Sequence, residues 1–233
     1  MNIKKLFISA ALMLAAFASV ANAQEEKKYI EPLEEGVKQR IRDWQDQKFG
    51  LFIHWGTYSV TGVIESWSLD PRHIEWCYKF RPQDMSYEEY VRSYENLITQ
   101  FNPVSFDPET WAKAAKYAGM KYMVFTTKHH DGFSMFDTQQ NDYKITSDRC
   151  PFHTSPKANI AKELFDAFRA EGIMPGAYFS IADWYNDDFW WDYFPPKDSS
   201  PNYPIDRFPE KWNRYLDFVN AQVDELTGGE YGD

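Results

Sequence analysis

Strand, loop and helix alternate along this chain in the order of a parallel α/β fold, and three observations predict that class. Three apolar, β-rich runs, at 49–56, 121–127 and 174–181, are separated by stretches whose apolar residues recur at helical spacing. Each run carries residues fit for chemistry toward its end: His54, then His129 and His130, then Tyr178. No glycine-rich phosphate loop follows the first run, so an open doubly wound sheet is the weaker alternative to a (β/α)8-like TIM barrel. In such barrels the active site gathers at the carboxyl ends of the strands, where these residues stand.

The elements follow in order. Residues 1–23 read as a signal peptide: Lys4 and Lys5, an apolar run over 6–20, then Ala21–Asn22–Ala23 as a small-residue cleavage site before Gln24. The run is short for a membrane span, and no later stretch is long and apolar enough to be one. The expectation is an exported chain, periplasmic or secreted after cleavage near Ala23, whose domain occupies 24–233. A helix is expected over 34–47, with Val37, Ile41 and Trp44 on one face. Residues 57–86 read as a long irregular insertion containing Glu65–Ser66–Trp67 and Glu75–Trp76. Long loops in compact domains are often binding loops, and this one is expected to cover the site.

A helix over 86–97 carries Tyr90, Tyr94 and Leu97 on one stripe. The next has Asp107 as N-cap, Pro108 at its first position and Gly119 after its end, with Trp111, Ala114, Ala115 and Ala118 expected inward. It feeds the second strand. After a loop over 134–156, a helix over 158–171 turns Ile160, Leu164, Phe165 and Phe168 inward and stops at Gly172, just before the third strand. A second aromatic, Pro-rich loop spans 183–208. The last helix, over 209–226, spaces Trp212, Tyr215, Leu216, Val219 and Val223 along its apolar face.

The second strand's end, Lys128–His129–His130–Asp131–Gly132, is the focus. Adjacent histidines on an extended chain point to opposite faces. Both address one ligand only if the chain turns between them and Gly132, so the strand is expected to end there.

A net charge of −10 makes the surface repel phosphate backbones, which excludes nucleic acid as a partner. Aromatics form 18% of the residues, with nine Trp, and several stand among polar neighbours, as in Asp183–Trp184–Tyr185. Flat apolar faces beside hydroxyl-binding groups suit sugars, although most of these rings are expected to fill core. Cys77 and Cys150 have neither metal-cluster nor redox spacing and are expected to be unpaired. A metal-dependent hydrolase would also use His54, His129, His130, Asp131 and Asp183. None of these forms a compact ligand motif, so no metal and no cofactor is expected.

Taken together, Phe49–Gly50–Leu51–Phe52–Ile53–His54–Trp55–Gly56, Thr126–Thr127–Lys128–His129–His130–Asp131–Gly132–Phe133 and Gly176–Ala177–Tyr178–Phe179–Ser180 resemble the α-L-fucosidases of glycoside hydrolase family 29. The resemblance implies a barrel-like catalytic domain and an exo-acting, retaining glycosidase that releases α-L-fucose from fucosylated oligosaccharides or glycoprotein glycans. It implies that His54, His129 and His130 bond sugar hydroxyls, that Glu75–Trp76 supplies a Glu–Trp pair to the same hydroxyls, and that Tyr178 lines the pocket. Glu65–Ser66–Trp67 competes for the Glu–Trp role; Glu75 is the preferred reading. The family's nucleophilic Asp and acid/base Glu are expected beyond Asp233, so no catalytic carboxylate is assigned here. A full barrel of this class needs about 250 residues. The chain therefore reads as the N-terminal part of one, with about three to four of the βα units of such a barrel. A non-catalytic carbohydrate-binding fragment is the alternative.

Overall fold

A computed structural model describes residues 30–72 and 75–232, with the Glu75 side chain outside the described set. The signal peptide read at 1–23 lies outside the described residues. Two compact units divide near residue 46. In the first, helix α1 (Glu35–Gln47) forms as its periodicity predicts, but buries none of its residues, and Trp44 is exposed.

The second unit is built on three parallel strands in chain order: β1 (Gly50–Ile53), β2 (Tyr122–Lys128) and β3 (Met174–Phe179). Each is shorter at its carboxyl end, or shifted, relative to its apolar run. Strands β1 and β3 stop before their runs end, whereas β2 continues one residue past its own. In β2, Met123 and Phe125 are fully buried, and they pack with Leu51 and Ile53 of β1 against helices α4 (Pro108–Tyr117) and α5 (Ile160–Ala170). The opposite face carries Phe52, half exposed, opposite Val124 and Gly176. Gly50 is required there because the Tyr122 ring lies over it, and a Cβ at residue 50 would stand 2.4 Å from that ring. Thr126 and Thr127 tie the strands sideways, donating from their hydroxyls to the Ile53 and Tyr178 carbonyls.

Helix α4 is capped as expected, Asp107 accepting from the Thr110 amide after a Pro start. Its buried face differs from the expectation: Ala112 and Ala115 point inward, whereas Ala114 and Ala118 are exposed. Alanines occupy both stripes, so composition did not distinguish them. Helix α5 buries Ile160, Leu164, Phe165 and Phe168 as expected, with Asn159 as its N-cap and Gly172 in the left-handed region at its end.

The segment 57–86 is less irregular than expected. It forms 3-10 turns at Thr57–Val60 and Ser66–Leu69 and the short helix α2 (Glu75–Tyr78), and it buries Ser66, Ser68, Leu69 and Asp70. Arg81 clamps it, donating to the Ser68 and Asp70 carbonyls while its guanidinium lies over the Tyr87 ring. Next, α3 (Tyr87–Glu95) starts with a reciprocal capping box between Ser86 and Glu89.

An aromatic cluster of Tyr58, Tyr90, Tyr94, Trp184, Trp190 and Tyr215 joins α3, the loop after β3 and helix α6 (Pro209–Thr227) beneath the strand ends. Helix α6 buries Tyr215, Val219 and Gln222, but exposes Leu216 and Val223, which its apolar spacing had placed inward. Gln222 takes the inner face because a buried cation waits there. Cys77 and Cys150 are both buried and are not joined in a disulfide.

Candidate active site

Strand β2 ends at Lys128, and the next four residues turn: the Gly132 amide donates back to the His129 carbonyl, with Gly132 at φ +77°. A register shift against β3 between Thr126 and Lys128 precedes the turn. Together they bring the adjacent histidines to one side, with ring centroids 4.5 Å apart. His54, just past β1, joins them at 4.8 Å from His129. Tyr178, near the end of β3, stacks on His129 at 5.9 Å and 22°. Four of the six substrate-binding residues expected from sequence therefore converge at the carboxyl ends of three parallel strands.

Trp76, a fifth, lies on α2 and is 43% exposed. The Glu75 side chain is outside the described residues. Among the described residues, Glu65 brings a carboxylate to the histidines, its Oε2 3.9 Å from His54 Nε2 and 3.8 Å from His129 Nε2. Its neighbours follow it into the site. Ser66 Oγ hydrogen-bonds His129 Nδ1 at 2.5 Å, and Trp67 sets its edge against His130 at 4.9 Å.

Burial governs the charge of these groups. It pushes His129 down to about 2, with the neighbouring histidines adding to the effect, and lowers His54 and His130 as well. The rings are neutral at pH 7, and a neutral imidazole both donates and accepts, which suits an array of hydroxyls. His54 Nδ1 is held by the Tyr58 hydroxyl at 2.7 Å. His130 stacks on Trp184 at 4.9 Å, and Trp184 stacks on Trp190 at 5.0 Å and 7°. The Trp184 amide donates to the His130 carbonyl, so the loop after β3 fixes both ring and backbone of this histidine.

Asp131 and Asp183, candidate metal ligands in the sequence, are occupied elsewhere. Asp131 is buried and accepts from the Tyr94 hydroxyl at 2.8 Å and the Phe133 amide. Asp183 accepts from Lys128 at 3.0 Å and from the Tyr185 and Asn186 amides. Tyr58, Ser66 and Trp184 were not assigned to the site from sequence. Trp184, an aromatic between polar neighbours, and Ser66, inside the Glu65–Ser66–Trp67 motif, carried a signal, and Tyr58 did not.

The sequence matches the family model described as Alpha-L-fucosidase over residues 16–232. The chain belongs to this family. It is 32% identical over 183 residues to the tissue alpha-L-fucosidase of Macaca fascicularis, a match covering 75% of this chain and 36% of that protein. Its fold superposes on alpha-L-fucosidase isoenzyme 1 of Paenibacillus thiaminolyticus with a TM-score of 0.58 at 40% identity, covering 81% of this chain and 40% of that one. It also superposes on a family 29 alpha-L-fucosidase of Bacteroides thetaiotaomicron, trapped as a covalent intermediate with 2-fluoro-fucosyl fluoride. That match has a TM-score of 0.60 at 29% identity and covers 86% of this chain and 40% of that one. The chain thus spans well under half the length of these relatives.

Proposed function

We propose that this chain forms the fucose-binding part of a retaining α-L-fucosidase that acts on fucosylated oligosaccharides or glycoprotein glycans. The observation that carries the reading is the convergence of His54, Glu65, His129, His130 and Tyr178 at the carboxyl ends of three sequential parallel strands. Neutral imidazoles, one carboxylate and the partly buried Trp67 ring meet the needs of a deoxy sugar, with hydroxyls on one side and an apolar edge on another. Strand order without reversal supports a barrel over a doubly wound sheet. The half-exposed Phe52 on the face opposite α4 and α5 supports further barrel strands covering it. Family membership supports fucoside chemistry, and the trapped Bacteroides intermediate supports retention. The residues at 1–23 support export to the periplasm or beyond.

Retaining hydrolysis needs a nucleophilic carboxylate and a second carboxyl group about 5–5.5 Å from it. Among the described residues, the carboxylate facing the histidines is Glu65, with Asp131 and Asp183 bonded elsewhere. The 30–232 region is therefore assigned to sugar binding, and the catalytic pair to sequence beyond it.

Tryptophan fluorescence titration with L-fucose tests this, because Trp67 and Trp184 lie at the site. Saturable quenching with a Kd of roughly 0.1–10 mM is expected, lost in His130→Ala, with no hydrolysis of an aryl α-L-fucoside. Absence of binding in the folded wild type would overturn the reading. Turnover abolished by substituting an Asp or Glu of this chain would overturn the assignment of the catalytic pair.

A further inference from the structure

His54, His129 and Glu65 each bring one ligand atom to within 4.8 Å of the others, and Glu65 Oε2 faces both Nε2 atoms, at 3.9 and 3.8 Å. We infer that they form a binding site for one divalent transition-metal ion of the zinc class, a reversible plug that excludes the sugar. Only this mutual exclusion rests on the functional reading above.

The argument is geometric. Each histidine has its other ring nitrogen held by a hydroxyl: His54 Nδ1 by Tyr58 at 2.7 Å, His129 Nδ1 by Ser66 at 2.5 Å. In the tautomer whose Nδ1–H donates to that hydroxyl, the Nε2 lone pair is left free on the side of Glu65. This is the outer-shell arrangement that orients metal-bound imidazoles and raises their basicity. Zinc binds nitrogen and carboxylate oxygen at about 2.0–2.2 Å, so tetrahedral ligands stand roughly 3.3 Å apart. The Glu65 edges, 3.9 and 3.8 Å, need to close by about half an ångström, and the widest allowed separation by about 1.5 Å. Glu65 and His54 keep 28% and 25% of their side-chain exposure and have room to move, whereas His129 is fixed by burial. The donor set, two imidazoles and one carboxylate, selects zinc, cobalt or copper over magnesium and calcium, which prefer all-oxygen sites. A chain of net charge −10 also favours a cation over an anion. Three protein ligands leave one position for water, on the side where the sugar would enter.

The test is calorimetric titration of the purified, tag-free chain with ZnCl2, with Co2+ absorption reporting the ligand set. One zinc per chain is expected. Glu65→Gln and His54→Gln should each weaken it by roughly tenfold or more, Tyr58→Phe and Ser66→Ala by about 10–100-fold, and exposed His153→Asn not at all. All are read against thermal melts to show that the fold is kept. Both ligand variants are of partly exposed side chains, so a failure of one to fold leaves the other. The inference is overturned if wild type shows no saturable binding up to about 1 mM zinc. It is also overturned if Glu65→Gln and His54→Gln bind as wild type does. An L-fucose arm separates the two readings. Zinc binding lost in the ligand variants but indifferent to L-fucose keeps the metal site and removes the sugar site. L-fucose binding with zinc affinity unchanged in the variants does the reverse.

Discussion

The Lys128 ammonium lies 3.0 Å from the Asp183 carboxylate, and neither side chain reaches solvent. The same ammonium donates to Gln222 Oε1 at 3.0 Å and sits over the Phe179 ring at 4.3 Å. One buried charge thus joins β2, the loop after β3 and α6 directly beneath the histidines. Burial lowers the Lys128 pKa, while Asp183 opposes that shift.

Breaking this pair from one side should cost far more than removing it whole. Lys128→Met leaves a carboxylate buried without its cation, and is expected to destabilise the fold by about 3–5 kcal/mol. The double variant with Asp183→Asn should recover part of that loss. Denaturant unfolding of the four proteins in the cycle measures the coupling, and additive single-variant losses would contradict it.

Gly132 holds the turn that presents both histidines. Its φ of +77° suits glycine, and a Cβ there would lie 2.3 Å from Asp183 Oδ1 and 2.8 Å from Tyr185 Cβ. Gly132→Ala is expected to lose about 1–3 kcal/mol from backbone strain alone, and more from displacing Asp183. A thermal midpoint matching wild type would show that the turn adapts.

Asp131 gives the stability a pH dependence of unusual sign for a carboxylate. Burial raises its pKa to about 6, although Tyr94, Phe133 and Thr57 bond the charged form. The unfolded carboxyl releases its proton near about 3.9. The native state therefore retains a proton that the unfolded state has lost between these values. This group's contribution is full below about pH 4 and falls as pH rises through about 6, by about 3 kcal/mol in total. Asp131→Asn, neutral throughout, should lack that fall. Unfolding free energies at pH 4 and pH 7, with a chelator present, compare the two. A wild-type minus variant difference that is flat with pH would place the carboxylate in a better-solvated setting.

Trp67 and Trp76 follow the two Glu-containing motifs and separate them experimentally. Trp67 touches His130 and Trp184 edge-on, at 4.9 and 5.5 Å, whereas Trp76 is exposed on α2. Trp67→Ala is expected to weaken L-fucose binding by roughly tenfold, about 1.4 kcal/mol, with Trp76→Ala close to wild type. The reverse order would return the sugar contact to Glu75–Trp76.

Local grammar determined much of this protein from sequence alone. The α/β alternation, the Asp107–Pro108 helix start, the Gly119 and Gly172 ends, the inward stripe of α5 and the end of β2 at the histidines depend on neighbours within a few residues, whose preferences are written locally. The convergence of His54, His129, His130 and Tyr178 followed from the rule that parallel strands deliver their ends to one rim. Tertiary structure decided what local pattern leaves degenerate. Two stripes of α4 carry alanine, and packing against α5 and the sheet selected Ala112 and Ala115. Helix α6 turned polar Gln222 inward, because a buried Lys128 needs an oxygen more than Leu216 needs cover. Glu65–Ser66–Trp67 and Glu75–Trp76 look alike along the chain. Glu65 reaches His54 and His129 through long-range bonds, Ser66 to His129 and Arg81 to the Ser68 carbonyl, which link residues far apart in sequence.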